Sequence, residues 1–385
     1  MSPLRHPALI TMLVLAGLAS LPVHASPRYA HPLSQLPKPA HAPATIELLF
    51  VLDTTGSMGE MLEGAKTKIW GIVNDVLQRQ GNTRARIRVG LVAYRDRGDA
   101  YVTRITPLSD NLDVVYAQLM RYEANGGGDG PEDVRSALAD GLRAGGWSAP
   151  GPRTSQVMFL VGDAPPHDDY QNIRSTSATA REAAQRGIIV NAIQCGEDSQ
   201  TERAWRAVAR QGGGDYFAIA QDGGVEAIET PYDGPLAKLG EQIGGTYMAY
   251  GSASVRERSQ SAQIVMETRV SADAPPPARA ERAVNKALND KAYDERDLVQ
   301  KAESGKVAVA GIAEAELPDS LRKLAPAKRQ EALDTAVAER KAIREKIVTL
   351  AKQREQYIAE QRRKKGGGKA GLDEAISSAL ARQIK

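Results

Sequence analysis

Residues 46–57 read Ile-Glu-Leu-Leu-Phe-Val-Leu-Asp-Thr-Thr-Gly-Ser, an apolar run that ends in a group of oxygen-bearing side chains. The run 46–52 is typical of a strand buried on both faces of a parallel sheet. Asp53, Thr55 and Ser57 follow at a spacing of two, so a loop leaving the strand tip can turn all three oxygens toward one point. Hard oxygen donors of this kind suit Mg²⁺, Ca²⁺ or Mn²⁺ rather than zinc or copper. The alternative is a plain turn and helix N-cap, because Ser and Asp are good caps.

Similar apolar stretches alternate along the chain with amphipathic helical patterns. The pattern predicts strands at 87–93, 101–108, 157–161, 188–193 and 216–219, and helices at 58–80, 111–123, 132–144, 173–186, 201–211 and 233–246. This alternation indicates a doubly wound, mostly parallel α/β sheet with helices on both faces. Ligands of such sheets bind beyond the carboxyl ends of the strands, so chemistry is expected there.

A second acid follows another predicted strand. Asp163 comes directly after the strand at 157–161, and we expect it beside Asp53 if the two strands are neighbours. A plain turn residue before Pro165 is the alternative. Between the two acids, 125–133 is a glycine-rich loop that opens a helix with acids in its first turn, where the helix dipole alone favours them. The loop lacks the Gly-Lys-Ser/Thr ending of a phosphate loop.

Joined together, these features resemble a known family. Asp53-x-Thr55-x-Ser57 after a buried strand looks like the metal-ion-dependent adhesion site of von Willebrand factor type A (VWA) domains, over roughly residues 45–250, in an exported bacterial member. The resemblance implies a VWA fold and a divalent ion, Mg²⁺ first and Ca²⁺ or Mn²⁺ as alternatives. It places Asp53, Thr55, Ser57 and Asp163 around that ion. In the family, one coordination position stays open for a carboxylate of a partner.

The middle loop departs from the common family pattern. Gly130 stands where most members place a Thr, and Asp129-Gly-Pro-Glu132 instead resembles the version in integrin β subunits, whose Glu contacts the ion. By that resemblance Glu132 joins the metal shell, and Asp129 is a weaker candidate for the same ion or an adjacent one. An added Glu raises the negative charge of the site and favours tighter cation binding.

Side chains beside the predicted site are expected to form a rim that gives specificity for a partner. They are Met58, Tyr94, Arg95 and His167, the last within the loop 165–170. Arg95 could instead form a surface ion pair. For His167 and its neighbours the alternative is a solvated loop.

The N-terminal segment has the features of an export signal. Residues 1–25 combine a short basic start, an apolar middle and small residues before Ser26, which is typical of a secretory signal peptide cleaved near Ala25. Residues 26–44 form a leader rich in Pro and Ala. We therefore expect a periplasmic or secreted protein, with an uncleaved membrane anchor as the alternative.

Composition excludes several classes of function. The chain has 385 residues, a net charge of +3 and a single cysteine, Cys195. One cysteine excludes an intrachain disulfide framework, a zinc finger and an iron–sulfur cluster, and Cys195 is expected to be a buried, inert thiol. An aromatic content of 5% argues against a stacking surface for single-stranded nucleic acid, so no nucleic-acid partner is expected.

The C-terminal part of the chain differs from the rest in composition and charge. Residues 251–278, which include the Pro-rich 271–278, are assigned to a linker, and 279–385 to a helical, basic tail. From 278 onward the chain has 24 Lys and Arg against 17 Asp and Glu, whereas 45–277 has 23 against 30. The strongest predicted helix, at 327–363, has apolar residues near heptad spacing, a pattern that favours a coiled coil. Arg340 and Arg354 fall on the same seam and argue against a long one.

Three functions fit these features. The first is a non-enzymatic, metal-dependent protein-binding or adhesion module, in which the ion bridges to an Asp or Glu of a partner protein. The second is a periplasmic envelope assembly or structural factor that acts through the helical tail, whose basic residues could contact an anionic membrane or envelope polymer. The third is a metal-assisted hydrolase, which would need His167 as its general base.

Overall fold

A computed structural model describes residues 44–79, 85–128, 130–170, 172–224, 228–289, 291–365 and 371–384. These residues lie in one compact unit. Its strands are Thr45–Asp53 (β1), Arg86–Tyr94 (β2), Thr103–Ser109 (β3), Thr154–Gly162 (β4), Ile188–Cys195 (β5) and Gly213–Ile219 (β6).

The six strands form one sheet in the order β3-β2-β1-β4-β5-β6. All neighbouring pairs are parallel except β2 with β3, which is antiparallel at the sheet edge. The predicted mostly parallel sheet is therefore confirmed. The chain runs outward from β1 to β3 and then returns to β4 on the other side of β1. The strand order reverses between β1 and β4, which is where open α/β sheets bind ligands.

Strand β1 is central and is buried on both faces. Leu48, Phe50 and Leu52 belong to one apolar core, and Leu49 and Val51 belong to the core on the opposite face. This follows from the period of two, because successive side chains of a strand point to opposite faces. Both cores fix the position of the strand tip that carries Asp53.

Among the described residues, the first six helices in chain order alternate with or follow the strands, and several begin at a side-chain cap. Asn111, Asp133, Ser175 and Asp198 each accept a hydrogen bond from a backbone N–H in the first turn of the helix that follows. Such caps satisfy donors that have no partner within the helix. The helices are Gly59–Arg79 (α1), Leu112–Leu119 (α2), Val134–Ala144 (α3), Thr176–Gln185 (α4), Ser199–Gln211 (α5) and Asp233–Gly245 (α6).

Helical structure continues through the C-terminal region, as predicted. The further helices are Ala253–Asp273 (α7), Pro276–Leu288 (α8), Leu298–Glu303 (α9), Asp319–Arg322 (α10), Pro326–Lys365 (α11) and Leu372–Gln383 (α12). Single 3₁₀ turns lie at Gly56–Met58, Val309–Gly311 and Glu314–Glu316. Among the helices of the described residues, none combines the length and the hydropathy of a membrane span.

The predicted linker at 251–278 is corrected by the structure, because α7 fills most of it. The break is confined to Ala274 and Pro275, both in extended conformation. The residue before a proline avoids helical geometry, which explains why α7 ends there. Only Arg256 and Val270 of α7 are buried, so the helix lacks the apolar stripe that reveals a helix in a sequence.

Helix α11 packs against the same chain, and its two seam arginines are buried in ion pairs. Arg340 donates to the side chains of Asp297 and Thr246 and to the carbonyl of Thr246. Arg354 pairs with Asp233, at 2.6 Å, and with Glu281. Arginines that would disrupt a coiled-coil seam therefore hold the helix on the rest of the unit.

The C-terminal helix α12 belongs to the core of the sheet region. Its apolar side chains lie in the same buried cluster as Leu48 and Phe50 of β1; they are Leu372, Ala375, Ile376, Ala379 and Leu380. At its far end, the side chain of Gln383 exchanges hydrogen bonds with Asn191 on β5. The packed core thus extends beyond the predicted boundary at residue 250.

Candidate metal centre

Asp53, Thr55 and Ser57 lie together at the tip of β1, as predicted. Asp53 is fully buried, and its Oδ1 accepts hydrogen bonds from the backbone N–H of Thr55 at 2.9 Å and from Thr55 Oγ1 at 2.6 Å. The hydroxyl oxygens of Thr55 and Ser57 are 3.5 Å apart. Ser57 is exposed, so the group runs from a buried carboxylate to a hydroxyl at the surface.

Asp163 lies at the neighbouring strand tip, because β4 pairs with β1. Its Oδ2 accepts a hydrogen bond from Gln221 Nε2 at 2.6 Å. Its Oδ1 is buried without a hydrogen-bond partner among the described residues, and the same holds for Asp53 Oδ2. In each of the two aspartates, one carboxylate oxygen therefore accepts a hydrogen bond, and the other is buried without a hydrogen-bond donor among the described residues. Such atoms are costly unless a cation or donor compensates them.

The electrostatics of the strand tips favour a positive ion. Burial raises the pKa of Asp53 to about 7, and the charge of Asp163 adds to the rise against the hydrogen bonds from Thr55. Burial also raises the pKa of Tyr94, and the charges of Asp53, Asp163 and Glu132 raise it further. All three carboxylates therefore act on one buried hydroxyl. A bound cation would offset the cost of holding these charges close together.

Glu132 is placed beside the site by its backbone and by a glycine. Its N–H donates to the carbonyl of Pro165 at 3.0 Å, and its carbonyl accepts from the N–H of His167 at 3.1 Å. Gly127 has φ of +78°, and a Cβ there would lie 3.1 Å from both Glu132 Oε1 and Thr55 Cβ. Only glycine fits this left-handed, crowded position. Asp129, the weaker candidate, lies outside the described residues.

These side chains border a cleft of about 580 Å³, lined by Thr55, Ser57, Gly127, Glu132, Asp163 and Asp198 among others. No three His, Cys, Asp or Glu side chains of the described ranges are grouped as a metal site. Asp53, Glu132 and Asp163 therefore all lie near Tyr94, but in the described residues they are not arranged as a three-carboxylate metal site. The donors that fit a cation are the two buried carboxylate oxygens of Asp53 and Asp163 and the hydroxyls of Thr55 and Ser57. Mg²⁺ and Ca²⁺ prefer such oxygen donors.

Three of the four residues predicted to form the rim are buried, so their prediction as a partner-binding surface is wrong. Met58 and Tyr94 are both fully buried in the cores, so neither offers surface to a partner. Arg95 is also buried, and it donates to the carbonyls of Thr54 at 3.0 Å and Glu123 at 2.6 Å. Met58 and Tyr94 therefore contribute to the cores, and Arg95 holds the backbone of the loops beside the strand tips. Tyr94 and Arg95 end or follow β2, whose last side chains point into the protein.

His167 packs against its own loop rather than extending into solvent. Its ring stacks on Tyr170 with centroids 4.2 Å apart, and Nδ1 lies 2.9 Å from an Asp169 oxygen. The Tyr170 hydroxyl lies 2.9 Å from both carboxylate oxygens of Asp96, and Arg97 lies over the Tyr170 ring. The loop that follows Asp163 is therefore fixed to the loop that follows β2.

Sequence reasoning missed Gln221 and Thr201 as neighbours of the site. Gln221 follows β6 in a loop without any recognisable motif. Thr201 lies in the first turn of α5, and its Oγ1 lies 2.6 Å from Asp198 Oδ2 and 3.2 Å from the carbonyl of Asp163. The capping sequence at Asp198 could have predicted the start of α5 but not its contact with Asp163. Cys195 is buried as expected, and burial raises the pKa of its thiol.

Comparisons with known proteins identify the class. Residues 47–231 match the family model of the von Willebrand factor A domain. The rat von Willebrand factor A domain-containing protein 7 is 32% identical over 183 residues, which are 48% of this chain and 19% of the relative. Its human counterpart is 28% identical over 216 residues, covering 51% of this chain and 23% of the relative. The chain thus spans about a fifth of the length of these relatives.

Solved structures give a weaker likeness. The crystal structure of BatB from Bacteroides thetaiotaomicron overlaps 46% of this chain and 90% of its own, with 15% identity and a TM-score of 0.33. The SpRpn10 VWA domain overlaps 47% of this chain and 89% of its own, with 13% identity and a TM-score of 0.34. The class therefore rests on the family match together with the strand order.

The chain is a VWA domain protein, with the domain at 47–231. A VWA domain indicates a protein-interaction module.

Proposed function

We propose that this protein is a non-enzymatic interaction module whose strand-tip cleft binds a divalent cation and, through it, a carboxylate of a partner protein. Mg²⁺ is the proposed ion, and the proposed setting is outside the cytoplasm because of the signal-like residues 1–25. The single observation that carries the proposal is the pair of buried carboxylate oxygens, Asp53 Oδ2 and Asp163 Oδ1, that lack a hydrogen-bond donor among the described residues.

Charge explains why the cation would control binding. Without it, the carboxylates of Asp53, Glu132 and Asp163 would repel an Asp or Glu side chain from a partner. With it, the ion supplies a positive centre at the cleft that a hard carboxylate oxygen can contact. Asp53 and Asp163 would hold the ion, and the hydroxyls of Thr55 and Ser57 would complete the protein side of the site.

The enzyme alternative receives less support from the surroundings of the site. A hydrolase needs a general base within reach of the activated water. His167, the predicted candidate, is stacked on Tyr170 and lies 2.9 Å from Asp169 and 3.5 Å from Asp96. Its ring is therefore used to fix the loop that follows Asp163.

The tail alternative also receives less support, because many of its cations face acids of the same chain. Arg282 and Lys286 pair with Glu267, Arg344 pairs with Glu303, and Arg340 is fully buried against Asp297. These pairs leave less free positive charge for an anionic membrane or envelope polymer than the sequence count indicates.

The proposal is tested by isothermal titration of chelator-stripped protein with Mg²⁺, Ca²⁺ and Mn²⁺. Asp53→Asn and Asp163→Asn keep the side-chain size but remove one charge each, and we expect saturable binding to be lost in both. Asp198→Asn is the matched control, because it removes an acid of the same cleft and Asn also caps helices well. Equal binding by all four proteins, or no binding by folded wild type, would overturn the proposal.

A further inference from the structure

The loop after β6 places an amide side chain at the candidate metal centre. Gln221 lies two residues beyond the end of β6. Its Nε2 donates to Asp163 Oδ2 at 2.6 Å and to the carbonyl of Ser57 at 3.3 Å. One side chain thus links the loop after β1 to the carboxylate after β4.

A glycine leaves room for this side chain. Gly196 follows β5 with φ of +79°, and a Cβ there would collide with Gln221 Oε1. The N–H of Gly196 donates to the carbonyl of Ile219 at 3.0 Å, which holds the ends of β5 and β6 side by side. Any other residue at 196 would be strained by its backbone and would displace the Gln221 side chain.

The hydrogen bond determines which oxygen of Asp163 remains for a cation. Because Oδ2 accepts from Gln221, the carboxylate presents Oδ1, the atom buried without a donor among the described residues. We propose that Gln221 is a positioning residue for the metal site, which orients Asp163 so that Oδ1 faces the ion. This inference rests on the proposed function and adds one residue to it.

The position of Gln221 is in turn fixed by the C-terminal helix. The carbonyl of Gly223 accepts a hydrogen bond from the N–H of Leu372, at the start of α12, at 2.9 Å. Gly371 packs so closely that a Cβ there would lie 2.5 Å from the carbonyl oxygen of Gly224. Because α12 is anchored in the core, the loop that carries Gln221 has a rigid support.

A second contact, an ion pair, also holds the start of α12. Asp373 forms an ion pair with Lys68 of α1 at 3.2 Å. Helix α1 itself begins directly after the metal-site loop at 53–58. Gln221 therefore joins the two strand-tip loops by hydrogen bonds to residues 58 and 164 positions away in sequence.

The first test compares Gln221→Ala with Gln200→Ala, an exposed residue that lines the same cleft. Mg²⁺ and Mn²⁺ affinities are measured by titration calorimetry, and thermal unfolding of the stripped proteins is measured in parallel. Partners of metal ligands typically contribute 10-fold or more to affinity, so we expect about 10-fold weaker binding for Gln221→Ala only. The unfolding temperature without metal should stay within about 2 °C, because an exposed side chain contributes little to stability.

The second test addresses the support from α12. Gly371→Ala should press on the carbonyl of Gly224 and displace the loop, whereas Gly234→Ala places its methyl group in open space. We expect Gly371→Ala to weaken cation binding in the same direction as Gln221→Ala, and the double variant to be no weaker than Gln221→Ala alone. In metal-free protein, the side-chain amide NMR signals of Gln221 should shift in Gly371→Ala and stay in place in Gly234→Ala.

The outcomes separate this inference from the function on which it rests. Tight cation binding by wild type with equal binding by Gln221→Ala would overturn the positioning role and keep the metal site. Additive losses in the double variant, or unshifted Gln221 signals in Gly371→Ala, would overturn the support from α12. No cation binding by wild type would overturn both the proposed function and the role of Gln221.

Discussion

Replacing Ile376 by alanine tests whether the last helix is part of the core of the VWA domain. Ile376 is 1% exposed and lies in the buried cluster that also holds Leu48, Phe50 and Trp70. The change removes three carbon atoms, worth about 0.8 kcal/mol each in transfer from water. The cavity left behind adds to this, and buried Ile→Ala changes cost about 2–5 kcal/mol. We expect the free energy of unfolding to fall by about 3 kcal/mol.

The assay is urea unfolding followed by tryptophan fluorescence and by circular dichroism. With an m-value of about 3 kcal/mol/M, the expected loss lowers the midpoint by about 1 M. Ile264→Ala is the matched control, because Ile264 lies on α7 and is 57% exposed; its effect should stay within about 0.5 kcal/mol. Midpoints of the Ile376 and Ile264 variants that agree within error would show that α12 does not pack in this core.

Three further predictions concern buried charges and the strand tips. Arg340→Met leaves the buried carboxylate of Asp297 without its cation, so the free energy of unfolding measured with urea should fall by about 3–5 kcal/mol. The double variant with Asp297→Asn should recover part of this loss. An unchanged midpoint in Arg340→Met would contradict the ion pair. Burial alone would raise the pKa of Glu267, but Arg282 and Lys286 lower it to about 2, so the free energy of unfolding of wild type should fall by up to about 3 kcal/mol between pH 4.5 and 2. Glu267→Gln should be less stable than wild type at pH 7 and should lack this pH dependence. Parallel pH profiles of the two proteins would oppose the assignment. Gly162→Ala places a methyl group 2.5 Å from Tyr94 Oη and 3.0 Å from Asp53 Cβ. The free energy of unfolding should therefore fall by about 1–3 kcal/mol, and the cation affinity measured by calorimetry should fall as well. Wild-type values for both quantities would show that the strand tips have more room.

The parts of the site that depend on strand order could be predicted from the sequence. An apolar run followed by Asp53-x-Thr55-x-Ser57, and a second run followed by Asp163, indicate two strand tips at one sheet edge, and β1 and β4 are neighbours. The direction of individual side chains could not be predicted in the same way. Met58 and Tyr94 follow or end strands, yet both point into the cores, because packing of the flanking helices decides which side of a loop faces water.

Contacts between residues far apart in sequence explain the other features of the structure that could not be predicted. Helix α7 was predicted as a linker because only Arg256 and Val270 of its residues are buried, so it shows no apolar periodicity. Arg340 and Arg354 contradict a heptad seam in sequence, but their acidic partners lie 43 and 121 residues away. Gln221 and α12 reach the site only through contacts that no local pattern encodes.

A crystal structure of the protein grown with Mn²⁺, with anomalous diffraction recorded at the manganese edge, tests whether the strand-tip cleft binds a divalent cation. We predict an anomalous peak in the strand-tip cleft, within about 2.0–2.5 Å of oxygens from the set Asp53, Thr55, Ser57 and Asp163. The same crystals of Asp163→Asn should lack the peak. A wild-type map without a peak at this cleft, or with the manganese bound elsewhere, would contradict the proposed metal site.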